Sequence, residues 1–276
     1  MENRFDNSAS WVILSPIEQS IKRKIEAVGT PLKDWNVKIY RGILTGYNDA
    51  FIIDGATKDK LIAADPKSAE IIRPILRGRD IKRYGYDFAD LWLINTHNGI
   101  KEQGIPPVDV YEYPAIKAHL DQYYDVISKR YDKGDTPYNL RNCIYTDDFS
   151  KQKIVWGNLS LSANFCLVEN DMFINAPATM IVPGDKYLLG ILNSKLADFY
   201  IRHLGVARNG GYFEYKPMFV EKIPVPDIDV IRKNEIIEIV DLMLANNGVS
   251  CEKYDNMLNH IIFDIYGLTD DEIVCF

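Results

Sequence analysis

Cysteine and histidine are scarce in this chain of 276 residues, and neither is grouped. The four cysteines show no CxxC spacing and the four histidines are equally scattered, so the sequence predicts neither a zinc site nor a disulfide framework. No apolar run reaches the roughly 18 residues of a membrane span. The N-terminal segment MENRFDNSAS lacks the basic and then apolar build of a signal peptide. We therefore expect a soluble, cytoplasmic protein.

An excess of positive charge is also missing, because the formal net charge is -7. The acidity is confined to the C-terminal part, since residues 227–276 contain 11 acidic and 3 basic side chains. The 28 acidic and 29 basic side chains of residues 1–226 nearly balance. The larger part of the chain is therefore not repelled as a whole by a polyanion such as nucleic acid.

Familiar catalytic motifs are missing too. The stretch IYRGILTGYNDAFII, residues 39–53, places Gly42 and Gly46 between two β-prone runs, but it lacks the Gly-Lys-Ser/Thr of a Walker loop. The chain contains no HExxH, GxSxG or Asn-Pro-Pro-Tyr motif, and the Pro-Asp pair at residues 226–227 lacks the lysine of the common nuclease pattern. We predict no catalytic residue and no metal ligand. A nuclease with a dispersed active site stays open as an alternative, with candidate carboxylates Asp87, Asp90, Asp147 and Asp148.

Hydrophobic periodicity predicts an α+β fold with interspersed helices and strands. The predicted helices cover residues 16–29, 66–73, 114–131 and 186–205, with two or three more after residue 227. The predicted strands cover residues 11–15, 35–43, 50–54, 91–96, 153–158, 165–171, 172–176 and 178–185. We expect a turn at residues 42–49 and a hairpin turn at residues 169–171.

Three segments carry side chains suited to nucleic acid. In the first, residues 67–83, Arg77 and Arg79 bracket Gly78, a bend that would let two guanidinium groups approach phosphates or a guanine edge, and Lys82 and Arg83 follow. A solvated basic surface is the alternative interpretation.

The second segment is the loop at residues 208–216, which surrounds two glycines with cations, amides and aromatic rings. Its candidate contacts are Arg208, Asn209, Tyr212 and Lys216. An ordinary connection whose tyrosines pack on the core explains the same residues. The third segment is the stretch at residues 39–53, where Arg41, Thr45 and Asn48 offer donors; here turn chemistry is the favoured interpretation.

Six segments in order identify a family resemblance. KIYRGILTGYNDAFIID, IIRPILRGRDIKRY, KIVWGN, YLLGILNSKLADFYIRHLG, GYFEYKPMFVEKIPVP and IYGLTDDEI follow each other as in the TaqI-like specificity domain. That domain forms the C-terminal part of many N6-adenine DNA methyltransferases and of single-chain type IIG restriction-modification enzymes. The likeness extends from residue 11 to residue 272. The LNSK to IPVP portion is also similar to target-recognition domains of type I specificity subunits.

The resemblance implies a mixed sheet with packed helices, as in a target-recognition domain, followed by a helical C-terminal extension. It assigns residues 1–226 to DNA target recognition and residues 227–276 to an acidic helical extension. The implied partners are double-stranded DNA and a methyltransferase domain or subunit. S-adenosylmethionine, and Mg²⁺ if a nuclease is present, would belong to the parent enzyme, with no cofactor in this chain. A separately encoded, type I-like specificity subunit stays open as an alternative.

Overall fold

The computed structural model describes residues 14–169, 171–204 and 206–276. Most of the strand predicted at residues 11–15 lies outside them. The α-helices in the described residues are α1 Pro16–Val28, α2 Asn48–Phe51, α3 Gly55–Ala64, α4 Pro114–Asp121, α5 Tyr124–Ile127, α6 Lys186–Leu192, α7 Lys195–Leu204, α8 Pro217–Val220, α9 Val230–Ala245, α10 Glu252–Ile265 and α11 Asp270–Ile273.

The strands alternate with these helices along the chain. They are β1 Gly29–Pro31, β2 Lys38–Arg41, β3 Ile52–Asp54, β4 Ile72–Leu76, β5 Ile81–Lys82, β6 Gly85–Tyr86, β7 Leu91–Ile94, β8 Lys153–Trp156, β9 Leu159–Ser160, β10 Phe165–Val168, β11 Phe173–Ile174, β12 Thr179–Val182, β13 Phe213–Glu214 and β14 Pro224–Pro226. Short 3-10 turns complete the connections, among them Pro66–Glu70 and Gly78–Asp80. The predicted α+β class is confirmed.

The chain divides into two compact units. The sheet unit comprises Val37–Asn158 and Asn164–Asp185. The helical unit comprises the described residues of Met1–Asn36, with Leu159–Ala163 and Lys186–Phe276. This division by internal contacts differs from the predicted boundary after residue 226. That boundary separates two functional parts, and it stays a prediction.

Two four-stranded sheets build the sheet unit. One has the strand order β10-β8-β12-β2 and is antiparallel throughout; the other has the order β11-β4-β7-β3, with β11 parallel to β4. Every residue of β8, β10 and β12 is buried. These strands are apolar except for Lys153 and Thr179, and the absence of alternation follows from burial of both faces.

The stretch at residues 39–53 connects the two sheets. β2 pairs with β12, whereas β3 pairs with β7, so the two predicted strands do not face each other. Between them, Asn48–Phe51 forms one helical turn, and Gly46 has a φ of 70°. The predicted return of the chain as a second strand from residue 50 is thus corrected: residues 50 and 51 are helical, and the bend is a crossover between sheets.

Three further boundaries differ from the sequence prediction. The strands on either side of the turn expected at residues 169–171, whose middle residue lies outside the described residues, do not pair as a hairpin: β10 pairs with the preceding strand β8, while β11 pairs with β4. The helix predicted over residues 114–131 is divided into α4 and α5. The helix predicted over residues 186–205 ends at Leu192 and resumes at Lys195. Ser194 accounts for that break, because its hydroxyl accepts a bond from Ala197 N (3.1 Å) and donates to Ile191 O (2.7 Å).

The acidic tail is an integral part of the helical unit. The Glu272 carboxylate accepts hydrogen bonds from Ser20 Oγ (2.8 Å) and Lys24 Nζ (2.7 Å) on α1. Tyr266 Oη donates to the Pro224 carbonyl (2.6 Å) of β14, which pairs with β1. None of the helices in the described ranges is both long and apolar enough to cross a membrane.

Lys153 is a fully buried lysine in the first sheet. Its ammonium group donates to the carbonyl oxygens of Phe149 (2.7 Å) and Lys151 (2.9 Å). Burial lowers the pKa of Lys153 to about 8, although Asp171 and Glu169 act in the opposite direction. The cation is thus held by neutral carbonyl groups at the expense of its hydration.

The stability of the sheet unit should therefore increase with pH through the contribution of Lys153. The unfolded chain, with a lysine pKa near 10.5, binds more protons than the folded chain between pH 8 and 10.5. The free energy of unfolding of the wild type, minus that of Lys153→Met, should rise by about 2 kcal/mol from pH 8 to pH 10. Urea denaturation at a series of pH values measures it. Lys151→Met, at an exposed position, is the matched control, and a flat difference for Lys153→Met would contradict the assignment.

Candidate nucleic-acid interface

Arg77 and Asp80 form a bidentate ion pair at the start of the basic segment. Arg77 Nε donates to Asp80 Oδ2 (2.9 Å) and Nη2 donates to Oδ1 (2.7 Å), while the Arg77 backbone N–H bonds to Oδ2 (2.8 Å). The hydrogen bond to Asp80 raises the pKa of Arg77 above its ordinary value. Asp80 is buried, so this pair fixes the 3-10 turn Gly78–Asp80. Arg77 therefore shapes the turn, and its guanidinium is largely occupied.

Arg79 occupies the middle of that turn and is exposed. Among the described residues, no hydrogen bond or ion pair within 4 Å engages its guanidinium. Lys82 is also exposed, with its ammonium 3.7 Å from the Asp87 carboxylate. The Arg83 guanidinium lies 5.0 Å from the centre of the Tyr84 ring. The structure thus separates Arg79, which can meet an external anion, from Arg77, which is engaged internally.

A contact between two glycines brings Arg79 to one end of the first sheet. A Cβ atom built on Gly78 would lie 3.5 Å from Gly157 Cα, and one built on Gly157 would lie 3.3 Å from Gly78 O. The residues that follow these glycines are Arg79 and Asn158. Two backbone segments from different parts of the chain therefore meet directly before Arg79 and Asn158.

Arg41 joins the same end of this sheet. Its Cα partner on β12 is Thr179, which is also the partner of Trp156 on β8. Thr179 Oγ1 donates to Asn158 Oδ1 (2.8 Å), which orients the Asn158 side chain. Arg41 is exposed and Asn158 is half-buried. Arg41, Arg79 and Asn158 define what we term the sheet-end surface.

Sequence reasoning did not single out Asn158. A glycine directly after a buried apolar strand, as in KIVWGN, is the signal that could have found it, because such a glycine often marks a close approach of backbones.

The side chains of Thr45 and Asn48 are hydrogen-bonded to each other. Thr45 Oγ1 donates to Asn48 Oδ1 (2.6 Å), and Thr45 is 2% exposed, whereas Asn48 is exposed. This is the local turn chemistry that was the favoured interpretation of the stretch. The Thr45 hydroxyl already has a partner, so of this pair Asn48 offers the more accessible polar group.

Arg130 holds the same turn from the other side, a role that the sequence analysis did not predict. Arg130 is 7% exposed, and its guanidinium donates to four backbone carbonyls, those of Thr45, Asp132 (3.0 Å), Pro137 (3.1 Å) and Asn139. Its carbon Cζ lies 4.3 Å from the centre of the Phe51 ring. Burial lowers the pKa of Arg130 to about 10. Arg130 thus acts as an internal clamp between residues 45 and 139.

In the loop at residues 208–216, two predicted contact residues share one buried carboxylate. Arg208 Nε donates to Glu214 Oε1 (2.6 Å), and Lys216 Nζ lies 2.7 Å from Glu214 Oε2. The hydrogen bond from Lys216 has the largest effect on the pKa of Glu214, and together with the bond from Arg208 it lowers that pKa. Both cations nevertheless keep about half of their side-chain surface, at 53% and 45% exposure. They can therefore add phosphate contacts without leaving Glu214.

The remaining side chains of this loop divide between solvent and core. Asn209 is exposed and Tyr212 is 39% exposed, next to Gly210 and Gly211, which adopt φ values of 78° and 80°. Tyr215, in contrast, is buried, and its hydroxyl bonds to Asp198. The structure thus has features of both sequence interpretations, with one tyrosine in the core and one at the surface.

The carboxylates considered for a dispersed nuclease site are mostly engaged in local bonds. Asp90 Oδ1 accepts from Trp92 Nε1 (2.8 Å), Asp148 Oδ1 accepts from Lys151 Nζ (2.6 Å), and Asp87 lies near Lys82. Asp147 lines a cavity of about 210 Å³ with Glu70 and Asp171. Within residues 14–169, 171–204 and 206–276, no group of three or more His, Cys, Asp or Glu side chains is arranged to hold a metal ion.

Comparisons with known proteins connect this fold to one class of enzymes. The structure resembles the type IIL restriction-modification enzyme MmeI in complex with DNA, with a TM-score of 0.68 and 14% identity over 88% of this chain and 34% of that chain. It also resembles the type IIG restriction endonuclease BpuSI, with a TM-score of 0.53 and 16% identity over 91% of this chain and 33% of that chain. These likenesses show that the fold is one found in restriction-modification enzymes.

The family follows from the sequence match. The model of the TaqI-like C-terminal specificity domain matches residues 73–225, more than half of the chain, so the chain belongs to that family. The type II methyltransferase M.PaeR7I of Pseudomonas aeruginosa is 20% identical over 276 residues, covering 98% of this chain and 45% of the relative. The chain thus spans about half the length of that curated relative. The predicted resemblance is confirmed.

Proposed function

We propose that this chain reads the base sequence of duplex DNA and positions the duplex for an N6-adenine methyltransferase domain or subunit outside the chain. The observation that supports it most directly is the sheet-end surface. The backbones of Gly78 and Gly157, the residues before Arg79 and Asn158, approach each other at the end of the sheet where β2 ends at Arg41. Arginine pairs with guanine edges or phosphates, and asparagine pairs with adenine. These are the side chains that base reading requires, on backbone segments held by a sheet.

The other cations suit a role in positioning the duplex. Lys82, Arg83, Arg208 and Lys216 are partly or largely exposed and have acidic or aromatic neighbours in the chain. Contacts of this kind to phosphate fix the register of a protein on DNA and carry no base information. The separation of reading and positioning side chains explains how one scaffold can serve different target sequences.

The proposal assigns no catalytic residue to this chain. S-adenosylmethionine would be bound by the methyltransferase partner, and Mg²⁺ would be needed only if a nuclease accompanies it. A separately encoded specificity subunit would do the same work in another arrangement of chains.

Salt dependence of DNA binding tests the proposal. If Lys82, Arg83, Arg208 and Lys216 each neutralise one phosphate, log K should fall with log salt with a slope of about -3 to -4. Fluorescence anisotropy with a labelled duplex, from 50 to 300 mM salt, measures it for the chain alone and joined to its methyltransferase partner. The partner supplies the other side of the proposed clamp, so binding should be tighter in the joined form. Absence of salt-sensitive binding in both forms would refute the proposal.

A further inference from the structure

A cavity of about 420 Å³ lies in the sheet unit, in a part of the surface that the proposed DNA contacts do not use. Residues 107–111 and 135–139 form its walls, together with Tyr124 of α5. Three tyrosine rings dominate it: the ring centre of Tyr138 lies 6.5 Å from that of Tyr111 and 5.8 Å from that of Tyr124. Tyr138 is buried at 8% exposure, whereas Tyr111 and Tyr124 are 69% and 45% exposed. We term this cavity the tyrosine pocket.

The charged groups that line the tyrosine pocket are carboxylates. Asp109 Oδ1 accepts from the Tyr111 backbone N–H (2.9 Å), and Asp135 Oδ1 accepts from Asn98 Nδ2 (3.0 Å). Both residues are exposed, and these bonds hold each carboxylate in place through one of its oxygens. No lysine or arginine is among the described residues that line the pocket. This lining repels phosphate groups and attracts a cation.

The chain already holds one cation against the same rings. The Lys117 ammonium lies 5.3 Å from the centre of the Tyr111 ring and 5.4 Å from that of Tyr138, and it pairs with Asp121 (2.7 Å). Tyr138 Oη also donates to Asp121 (2.6 Å), which fixes the ring. Since Asp121 balances the charge of Lys117, the carboxylates of Asp109 and Asp135 are left to a group from outside. A planar guanidinium stacks on aromatic rings and bonds to carboxylates in a fixed geometry, which an ammonium group cannot do.

We propose that the tyrosine pocket binds an arginine side chain presented by a partner protein. The exposed rings of Tyr111 and Tyr124 at its mouth, and the pairing of aromatic residues with arginine, are features of the centres of protein interfaces. This interaction is independent of DNA reading, because the pocket shares no residue with the sheet-end surface. The chain would thus carry one surface for nucleic acid and another for protein.

Titration with short peptides tests this inference on the full chain carrying ¹³C-labelled tyrosine. The probes are the capped pentapeptide Gly-Gly-Arg-Gly-Gly and its counterparts with lysine or citrulline in the centre. The arginine peptide should shift the NMR signals of Tyr111, Tyr124 and Tyr138, and it should bind at least about fivefold more tightly than either counterpart. Equal binding of the citrulline peptide would overturn the role of charge, and equal binding of the lysine peptide would overturn the assignment to guanidinium.

Variants and competitors complete the test. Asp135→Asn and Tyr124→Leu should each weaken binding of the arginine peptide by about fivefold or more. Tyr131→Leu, at a tyrosine that is 94% exposed and outside the lining, should leave it unchanged. Thermal unfolding checks that the variants fold, and the exposed position of Tyr124 keeps at least that variant interpretable.

Displacement of the peptide by a thymidine decamer would overturn the assignment in favour of nucleic acid. Tighter binding of spermidine than of the peptide would overturn the protein source of the cation.

Discussion

Replacing Arg79 by alanine should weaken binding to the cognate duplex by about 10- to 100-fold, because one good arginine contact to a base edge contributes on the order of 1–3 kcal/mol. Arg79 is the residue for which this is expected, since it is exposed and its guanidinium makes no hydrogen bond or ion pair within 4 Å to a described residue. The affinity of Arg79→Ala for duplexes of different base sequence distinguishes guanine reading from phosphate binding. If Arg79 reads a guanine, discrimination at one base pair is lost; if it binds phosphate, all duplexes are weakened alike and the salt slope falls by about one.

Lys67→Ala is the matched control for Arg79→Ala. Lys67 belongs to the same basic segment, is 40% exposed and pairs with Glu112 (2.5 Å). Its removal takes away the same charge and should change DNA affinity by less than about threefold, as expected for screened charges at a distance. Competition anisotropy with cognate and single-substituted duplexes measures both variants. Unchanged binding of Arg79→Ala would assign Arg79 to a solvated surface.

Replacing Arg130 by methionine should lower the free energy of unfolding by about 4 kcal/mol, because it removes a donor from four carbonyl groups. Of these, the Asn139 carbonyl keeps a second donor, the Gly134 backbone N–H (3.0 Å). Each such group costs about 1–3 kcal/mol when it stays dry, and removal of a buried cation returns part of that cost. The carbonyls belong to Thr45 and to the loop from Asp132 to Asn139. Urea denaturation at pH 7 measures the change.

Lys129→Met provides the comparison, since Lys129 precedes Arg130 and is exposed. It should alter stability by less than about 0.5 kcal/mol. Arg130→Lys should recover only a part of the loss, because an ammonium group cannot reach four carbonyls from the plane that a guanidinium occupies. A loss below about 1 kcal/mol for Arg130→Met would show that water replaces the guanidinium and that the clamp is not structural.

Local patterns in the sequence predicted most elements, while the pairing of strands depended on distant residues. The helix from residue 16 and the strands at residues 91–96 and 153–158 were predicted because periodicity and caps are local signals. The prediction of a hairpin at residues 169–171 was wrong, because β11 pairs with β4. The paired residues lie about a hundred positions apart, so local patterns do not predict the pairing. The break at Ser194 was missed since a serine inside an apolar helical pattern is not distinguishable by spacing from one that caps.

The candidate site shows the same limit at the level of single side chains. Composition singled out the basic segment, in which Arg77 and Arg79 are equivalent by sequence. In the structure they differ, because the buried carboxylate of Asp80 bonds to the Arg77 guanidinium. The orientation of the Asn158 side chain depends on its hydrogen bond with Thr179, and that of Arg130 depends on its bonds to four carbonyls. Local sequence patterns do not predict these long-range contacts. Which arginine is free is therefore a property of the folded chain.

The crossing of Gly78 and Gly157 has a consequence for how target preference can diversify. The contact joins backbone to backbone, so it does not depend on the identity of the neighbouring side chains. If Arg79 and Asn158 read bases as proposed, a two-position library at 79 and 158 would sample new recognition codes while the crossing stays intact. At position 158 a replacement should keep an acceptor for the hydroxyl of Thr179, which is buried and donates to Asn158 Oδ1 (2.8 Å). A side chain at Gly157 should disturb the crossing more than one at Gly78, because its Cβ atom would lie 3.3 Å from Gly78 O, whereas a Cβ atom at Gly78 would meet Gly157 Cα at 3.5 Å and Ala178 Cβ at 3.7 Å.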